Sequence, residues 1–155
     1  MNSQPVSSYS IDDDRKLEAN QRLSVDNSNL SPATELATLT DSALFDLSEM
    51  ISDRDLVILT ELVEAFLSEA TRQVNNMVRG VRENDLSLLF LATHNLKSSS
   101  ATFGAMRLAR LSQMLEDSLS GARNKDIIEK FVAEIEIECA AAFVAMRTAL
   151  AEWRE

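Results

Sequence analysis

Between Asp53 and about Arg82 the apolar residues fall at intervals of three and four. Leu56, Leu59, Val63, Phe66, Ala70, Met77 and Val81 make the series, with Val74 filling its longest gap. That spacing is the stripe of a long core-facing helix. Asn84-Asp85 breaks the run, and Asp85 is a good N-cap for a second helix. This second helix turns Leu86, Leu89, Thr93, Leu96, Ser100 and Phe103 inward. Gly104 marks a turn or the start of another helix, whose stripe is Leu108, Leu111, Leu115 and Leu119 and whose C-cap is Gly121. After Arg123-Asn124-Lys125-Asp126, Ile128, Val132, Ile135, Cys139, Ala142, Met146, Ala149 and Trp153 alternate four and three without a fault.

Upstream the pattern is weaker. Ser31-Pro32-Ala33-Thr34-Glu35 is a helix-start signal. Leu36, Leu39, Leu44, Leu47 and Met50 carry apolar character through a short helix, a turn at Thr40-Asp41 and a further helix. Residues 1–30 are dominated by Ser, Asn, Gln and Asp, including Asp12-Asp13-Asp14, and their apolar residues are too scattered to offset the entropy of ordering. The expected organisation is a mobile polar tail over 1–30 and one helical domain over 31–155. With four long helices, short loops and no strand signal, the fold class is all-α, an up-and-down four-helix bundle with an additional short N-terminal helix.

Composition removes several chemistries. The 155 residues hold three glycines, one cysteine and one histidine. That excludes a disulfide framework, a thiolate zinc site and a histidine-rich metal centre. Too few glycines remain for a phosphate-cradling loop beside the turns. A net charge of −10, with no basic patch beyond Arg107 and Arg110, argues against nucleic acid. No apolar run reaches a membrane span, and the N-terminus has no apolar signal core, so a monomer in the cytoplasm is expected. Glu134, Glu136 and Glu138 read as a solvated acidic stretch, and Cys139 as an inert core position.

What imidazole chemistry there is lies at His94. On a helix advancing 100° per residue, His94 points roughly 120° away from the inward centre between Thr93 and Ser100. Around it lie Ser87, Phe90, Leu91, Lys97, Ser98 and Ala101, and no carboxylate sits within one turn. A neutral imidazole nitrogen is a good nucleophile near pH 7. Attack on a phosphoryl group would leave a phosphoimidazole whose negative charge Lys97, three residues on, is placed to offset. The hydroxyls of Ser98, Ser99 and Ser100 could add hydrogen bonds. With no second base, phosphate loop or metal cluster, the phosphoryl donor must be another molecule.

Ala92-Thr93-His94-Asn95-Leu96-Lys97-Ser98-Ser99-Ser100, followed by Gly104-Ala105, Leu108, Leu111 and Leu115-Glu116, resembles the histidine phosphotransfer (HPt) domain. Phe66-Leu67-Ser68-Glu69-Ala70 and Asn84-Asp85 resemble that family's preceding helix and turn. The resemblance covers about residues 40–150 in architecture and 92–116 in specific motif. It implies a phosphocarrier of a two-component phosphorelay, not an enzyme with its own ATP site. His94 would accept the group from a receiver aspartate and pass it to another receiver. Lys97 would stabilise charge, while Ser87, Phe90, Leu91, Ser98, Ala101, Gly104 and Glu116 would meet the partner. Ser98 stands where the family most often has glycine. The partners implied are receiver domains of response regulators and of a hybrid sensor histidine kinase. No cofactor is implied on this chain, Mg²⁺ being held by the receiver.

Two other readings use the same residues. In one the chain is a non-catalytic helical adaptor that binds a signalling partner through Phe90, Leu91 and Ala101, with His94 incidental. In the other it is the phosphoacceptor module of a chemotaxis-type kinase, which calls for an ATP-binding domain that these 155 residues do not contain.

Overall fold

The structure, a computed structural model, describes residues 37–51 and 55–154. The tail expected over 1–30, the helix start at Ser31–Glu35, Leu36 and Asp53 all lie outside the described residues. Five helices are described: α1 (Ala43–Glu49), α2 (Leu56–Glu83), α3 (Leu86–Thr102), α4 (Met106–Ser120) and α5 (Lys125–Trp153). Each long helix packs on the next and α5 packs back on α2, which closes an up-and-down four-helix bundle, with α1 against α2.

Side-chain caps set where the helices begin. Asp55 accepts hydrogen bonds from the backbone N–H groups of Val57 and Ile58, which caps α2 ahead of Leu56. At its far end Asn84 takes a left-handed conformation (φ 55°) and the Asp85 N–H returns to the Gly80 carbonyl at 2.8 Å. Asp85 then caps α3 through the Leu88 N–H at 2.9 Å. Gly80 lies inside α2, and a Cβ there would stand 3.0 Å from the Leu89 Cβ. The α2–α3 hairpin is tight because that atom is missing. Asn124 caps α5 through the N–H groups of Asp126 and Ile127.

Gly104 belongs to the turn between α3 and α4, resolving the alternative left by the sequence. Its φ is +72°, its carbonyl accepts from the Thr40 N–H at 3.0 Å, and a Cβ would fall 2.5 Å from the Ala43 Cβ. Gly121 is the C-cap of α4, but with φ −98° it is not left-handed. That conformation falls two residues later at Arg123 (φ 52°), whose Nε donates to the Leu119 carbonyl and so satisfies the helix end.

The core follows the stripes closely. Leu59, Val63, Met77, Leu89, Leu96, Leu108, Leu115, Ile135 and Met146 are essentially inaccessible to solvent. Full burial of a side chain of this kind contributes about 1.5–3 kcal/mol. Leu86 and Met50 depart from expectation and are exposed, each at a helix end. Trp153 is partly exposed and lies against Phe45 with ring centroids 6.4 Å apart. Glu138 is the substantive correction. It is buried, not solvated, because it falls beside Cys139 on the inward side of α5, where Arg107 from α4 reaches it at 3.4 Å.

The Gly104 turn yields a stability prediction. Gly104→Ala combines left-handed strain of about 1–2 kcal/mol with overpacking of about 1–3 kcal/mol. The variant should lose about 2–5 kcal/mol in urea or thermal unfolding.

Candidate functional site

Burial of one face of α3 aims the other. Leu89, Ala92, Thr93, Leu96 and Ser100 are buried, and the Thr93 hydroxyl donates to the Leu89 carbonyl at 2.7 Å, so no polar atom of that residue is stranded. His94, one residue past Thr93, therefore stands outward with its side chain 52% exposed. Phe90, one turn earlier, lies nearly parallel to the imidazole at an interplanar angle of 10° and a centroid distance of 6.3 Å. Ser87, Leu91, Ser98 and Ala101 are exposed on α3 as expected.

The carboxylate missing from α3 comes from α4. Glu116 follows the buried Leu115, and its side chain is only 15% exposed. Its Oε2 lies 3.2 Å from His94 Nδ1. The Lys97 ammonium straddles the same carboxylate, at 3.0 Å from Oε1 and 2.9 Å from Oε2. Partial burial pushes the Glu116 pKa up, but hydrogen bonds from Lys97 and His94, with their charges, outweigh it and hold the carboxyl below its ordinary 4.5. Glu116 is therefore a carboxylate at neutral pH. The imidazole gives its Nδ1–H to that carboxylate, which in the neutral ring leaves the lone pair on Nε2.

Three sequence readings change here. Glu116, expected at the partner face, is joined by the structure to His94 and Lys97. No local pattern could show this, because 22 positions separate Glu116 from His94. Gly104 is buried under Thr40 and Ala43, so it shapes the turn and does not line the exposed face. The hydroxyls of Ser98 and Ser99 bond within their own helix. Ser98 Oγ donates to the His94 carbonyl at 3.2 Å and Ser99 Oγ to the Asn95 carbonyl at 3.0 Å, while Ser100 Oγ is buried without a hydrogen-bond partner. A hydroxyl that can reach an i−4 carbonyl bonds there. The structure also adds Arg123, which lines a shallow cleft beside the histidine with Leu86, Ser87, Phe90 and Leu119. Its loop position carried no periodic signal. Among the described residues no group of three or more His, Cys, Asp or Glu is placed to hold a metal ion, and no helix is long and apolar enough to cross a membrane.

A closed helical bundle presenting one outward imidazole, with a cation and a carboxylate at hand, is the architecture of a phosphoryl carrier. The chain belongs to the Hpt domain family, whose model matches residues 61–153. Its role is histidine phosphotransfer in a phosphorelay, as a phosphocarrier that works with receiver domains. Two solved structures share the fold. One is the histidine-containing phosphotransfer protein B (HptB) of Pseudomonas aeruginosa PAO1, at 20% identity and a TM-score of 0.63, covering 74% of this chain and 96% of that one. The other is the HPT domain of an Hpt sensor hybrid histidine kinase from Shewanella, at 20% identity and a TM-score of 0.58, covering 74% and 95%. No curated protein matches the sequence.

The clamp also makes stability depend on pH. Glu116 has a folded pKa below its unfolded value, so its contribution is full above about pH 4.5 and is lost as pH falls through the lower folded value. Urea unfolding between about pH 5 and 3 should therefore show a steeper loss for the wild type than for Glu116→Gln.

Proposed function

We propose that His94 is the phosphoacceptor and that Nε2 is the attacking atom. The observation that carries this is the Nδ1–Glu116 hydrogen bond, which fixes the tautomer whose free lone pair points away from the bundle. The Nε2 lone pair attacks the phosphorus of a receiver aspartyl phosphate in line, and the P–O bond to the aspartate breaks with its electron pair leaving on the carboxylate. Lys97 is held by Glu116 through two contacts, and an ammonium has three N–H donors. One donor therefore remains to meet a phosphoryl oxygen on the neighbouring imidazole. Magnesium bound by the receiver supplies further charge stabilisation.

On this reading the donor is the receiver of a hybrid sensor kinase and the acceptor a response regulator. The docking surface is the exposed face of Ser87, Phe90, Leu91, Ser98 and Ala101. The chain works as a monomer in the cytoplasm, has no autokinase activity and carries no cofactor of its own. Its net charge of −10 disfavours direct approach of polyanionic donors, which suits delivery by a protein partner.

Two experiments test the assignment. Incubation with a phosphorylated receiver should transfer label that is acid-labile and base-stable, and His94→Gln should take none while its circular dichroism stays that of the wild type. Label retained by that variant would refute the assignment, and binding without labelling of the wild type would favour the adaptor reading. Lys97→Ala removes a charged hydrogen bond worth about 1.5–3 kcal/mol. Its transfer rate should fall roughly tenfold or more, measured against a wild-type control with the fold intact.

A further inference from the structure

Beside the His94 face the chain holds a cation with donors to spare. Arg123 lies in the loop between α4 and α5 with a left-handed backbone (φ 52°), a conformation that glycine takes with less strain. Its Nε donates to the Leu119 carbonyl at 3.1 Å, which anchors the guanidinium at the end of α4. Among the described residues its two terminal amino groups have no hydrogen-bond or ion-pair partner. Leu86, Ser87, Phe90 and Leu119 complete the cleft that Arg123 lines, with a volume of about 440 Å³. Phe90 belongs both to this cleft and to the ring pair with His94, so the cleft continues the phosphoacceptor face. The nearest charges do not neutralise Arg123. Lys125 shares a smaller pocket with it and is also positive, while Asp117, in a third depression, accepts from Gln113 Nε2 at 2.8 Å.

We propose that Arg123 is a specificity-determining residue for the receiver, and that its cleft takes an acidic side chain from the receiver's docking surface. This deepens the docking proposed over His94 and rests on it. Charge and shape together select the occupant. A guanidinium offers parallel N–H donors that match a carboxylate, and the apolar walls of Leu86 and Phe90, both exposed, accept the methylene stem that carries it. The chain's net charge of −10 repels acidic proteins at long range, so a positive point on the docking face favours those partners that place a carboxylate opposite it. A receiver with an apolar residue there would bury the free donors unpaired, and one with a basic residue would be repelled. The bond from Nε to Leu119 holds the fork in place before docking, which lowers the entropy lost when the partner arrives. Arg123 thus acts on how firmly the receiver is seated, with no part in the chemistry at phosphorus, and its effect falls on KM rather than kcat.

Two phosphoryl donors separate docking from chemistry. The intact chain is labelled with phosphoramidate, which needs no docking surface, and with the purified phosphorylated receiver that labels the wild type fastest in a panel of receivers. Arg123→Gly suits the left-handed backbone, so the fold should survive, as circular dichroism would show. With phosphoramidate, Arg123→Gly and Arg123→Glu should label at the wild-type rate. With the receiver, Arg123→Gly should raise KM roughly tenfold at unchanged kcat. Arg123→Glu should raise it further, and Arg123→Lys should recover part of the loss. The gap in KM between wild type and Arg123→Gly should narrow as KCl rises from about 0.05 to 0.5 M. Equal KM values for wild type and a folded Arg123→Glu overturn the inference. So does a loss confined to kcat, a parallel loss with phosphoramidate, or a KM gap that KCl leaves unchanged. Absence of label at His94 from both donors is a different result, which refutes the phosphoacceptor assignment and this inference with it.

Discussion

Burial of the α3 stripe is the constraint on which everything else in this molecule rests. Leu89, Thr93, Leu96 and Ser100 are buried in a bundle where α3 packs on both α2 and α4, and their positions leave α3 no freedom to rotate about its axis. With that rotation fixed, the outward direction of His94 is a matter of helical geometry, 100° per residue from Thr93. The hydroxyl of Thr93 is satisfied by its own helix, so it adds no unpaired polar group to the dry face. The imidazole is in this way placed on the surface by residues of the buried face.

The second layer of the design is electrostatic and spans two helices. Lys97 and His94 share one carboxylate, and that carboxylate is partly withdrawn from water, where hydrogen bonds to charge are stronger. At rest the three side chains are close to neutral as a group, with one ammonium, one carboxylate and one neutral ring. Arrival of a doubly charged phosphoryl group changes that balance locally. On the proposed function, the free donor of Lys97 is what this chain brings to meet that charge.

Most of the architecture was legible because long amphipathic helices write their burial directly into three-and-four spacing. The stripe from Ile128 to Met146 is buried throughout, and Asp85 caps the helix it precedes. His94 was legible for the same reason, since exposure follows from its place on the wheel. Glu116 as the histidine's partner was not, because which residues of α4 reach α3 depends on how two helices dock, not on either one alone. Glu138 was misread on similar grounds. Charge pattern suggested a solvated run, whereas Arg107, distant in sequence, lets one of its carboxylates go under cover. Gly104 was recognised as a turn residue, yet the reason for a glycine there lies in the approach of Thr40 and Ala43, which precede it by some sixty positions.

The 3.2 Å between His94 and Glu116 is also a measure of the distance between two helices. Each residue is fixed to its own backbone, and the spacing of those backbones is set by the apolar side chains packed between them, Ala92, Leu96, Leu108 and Leu115 among them. Reactivity at the surface is thereby an output of packing in the interior. A methyl group gained or lost in the core can move the carboxylate toward or away from the ring. Sequences can then drift in chemical temperament while every polar residue of the site stays the same.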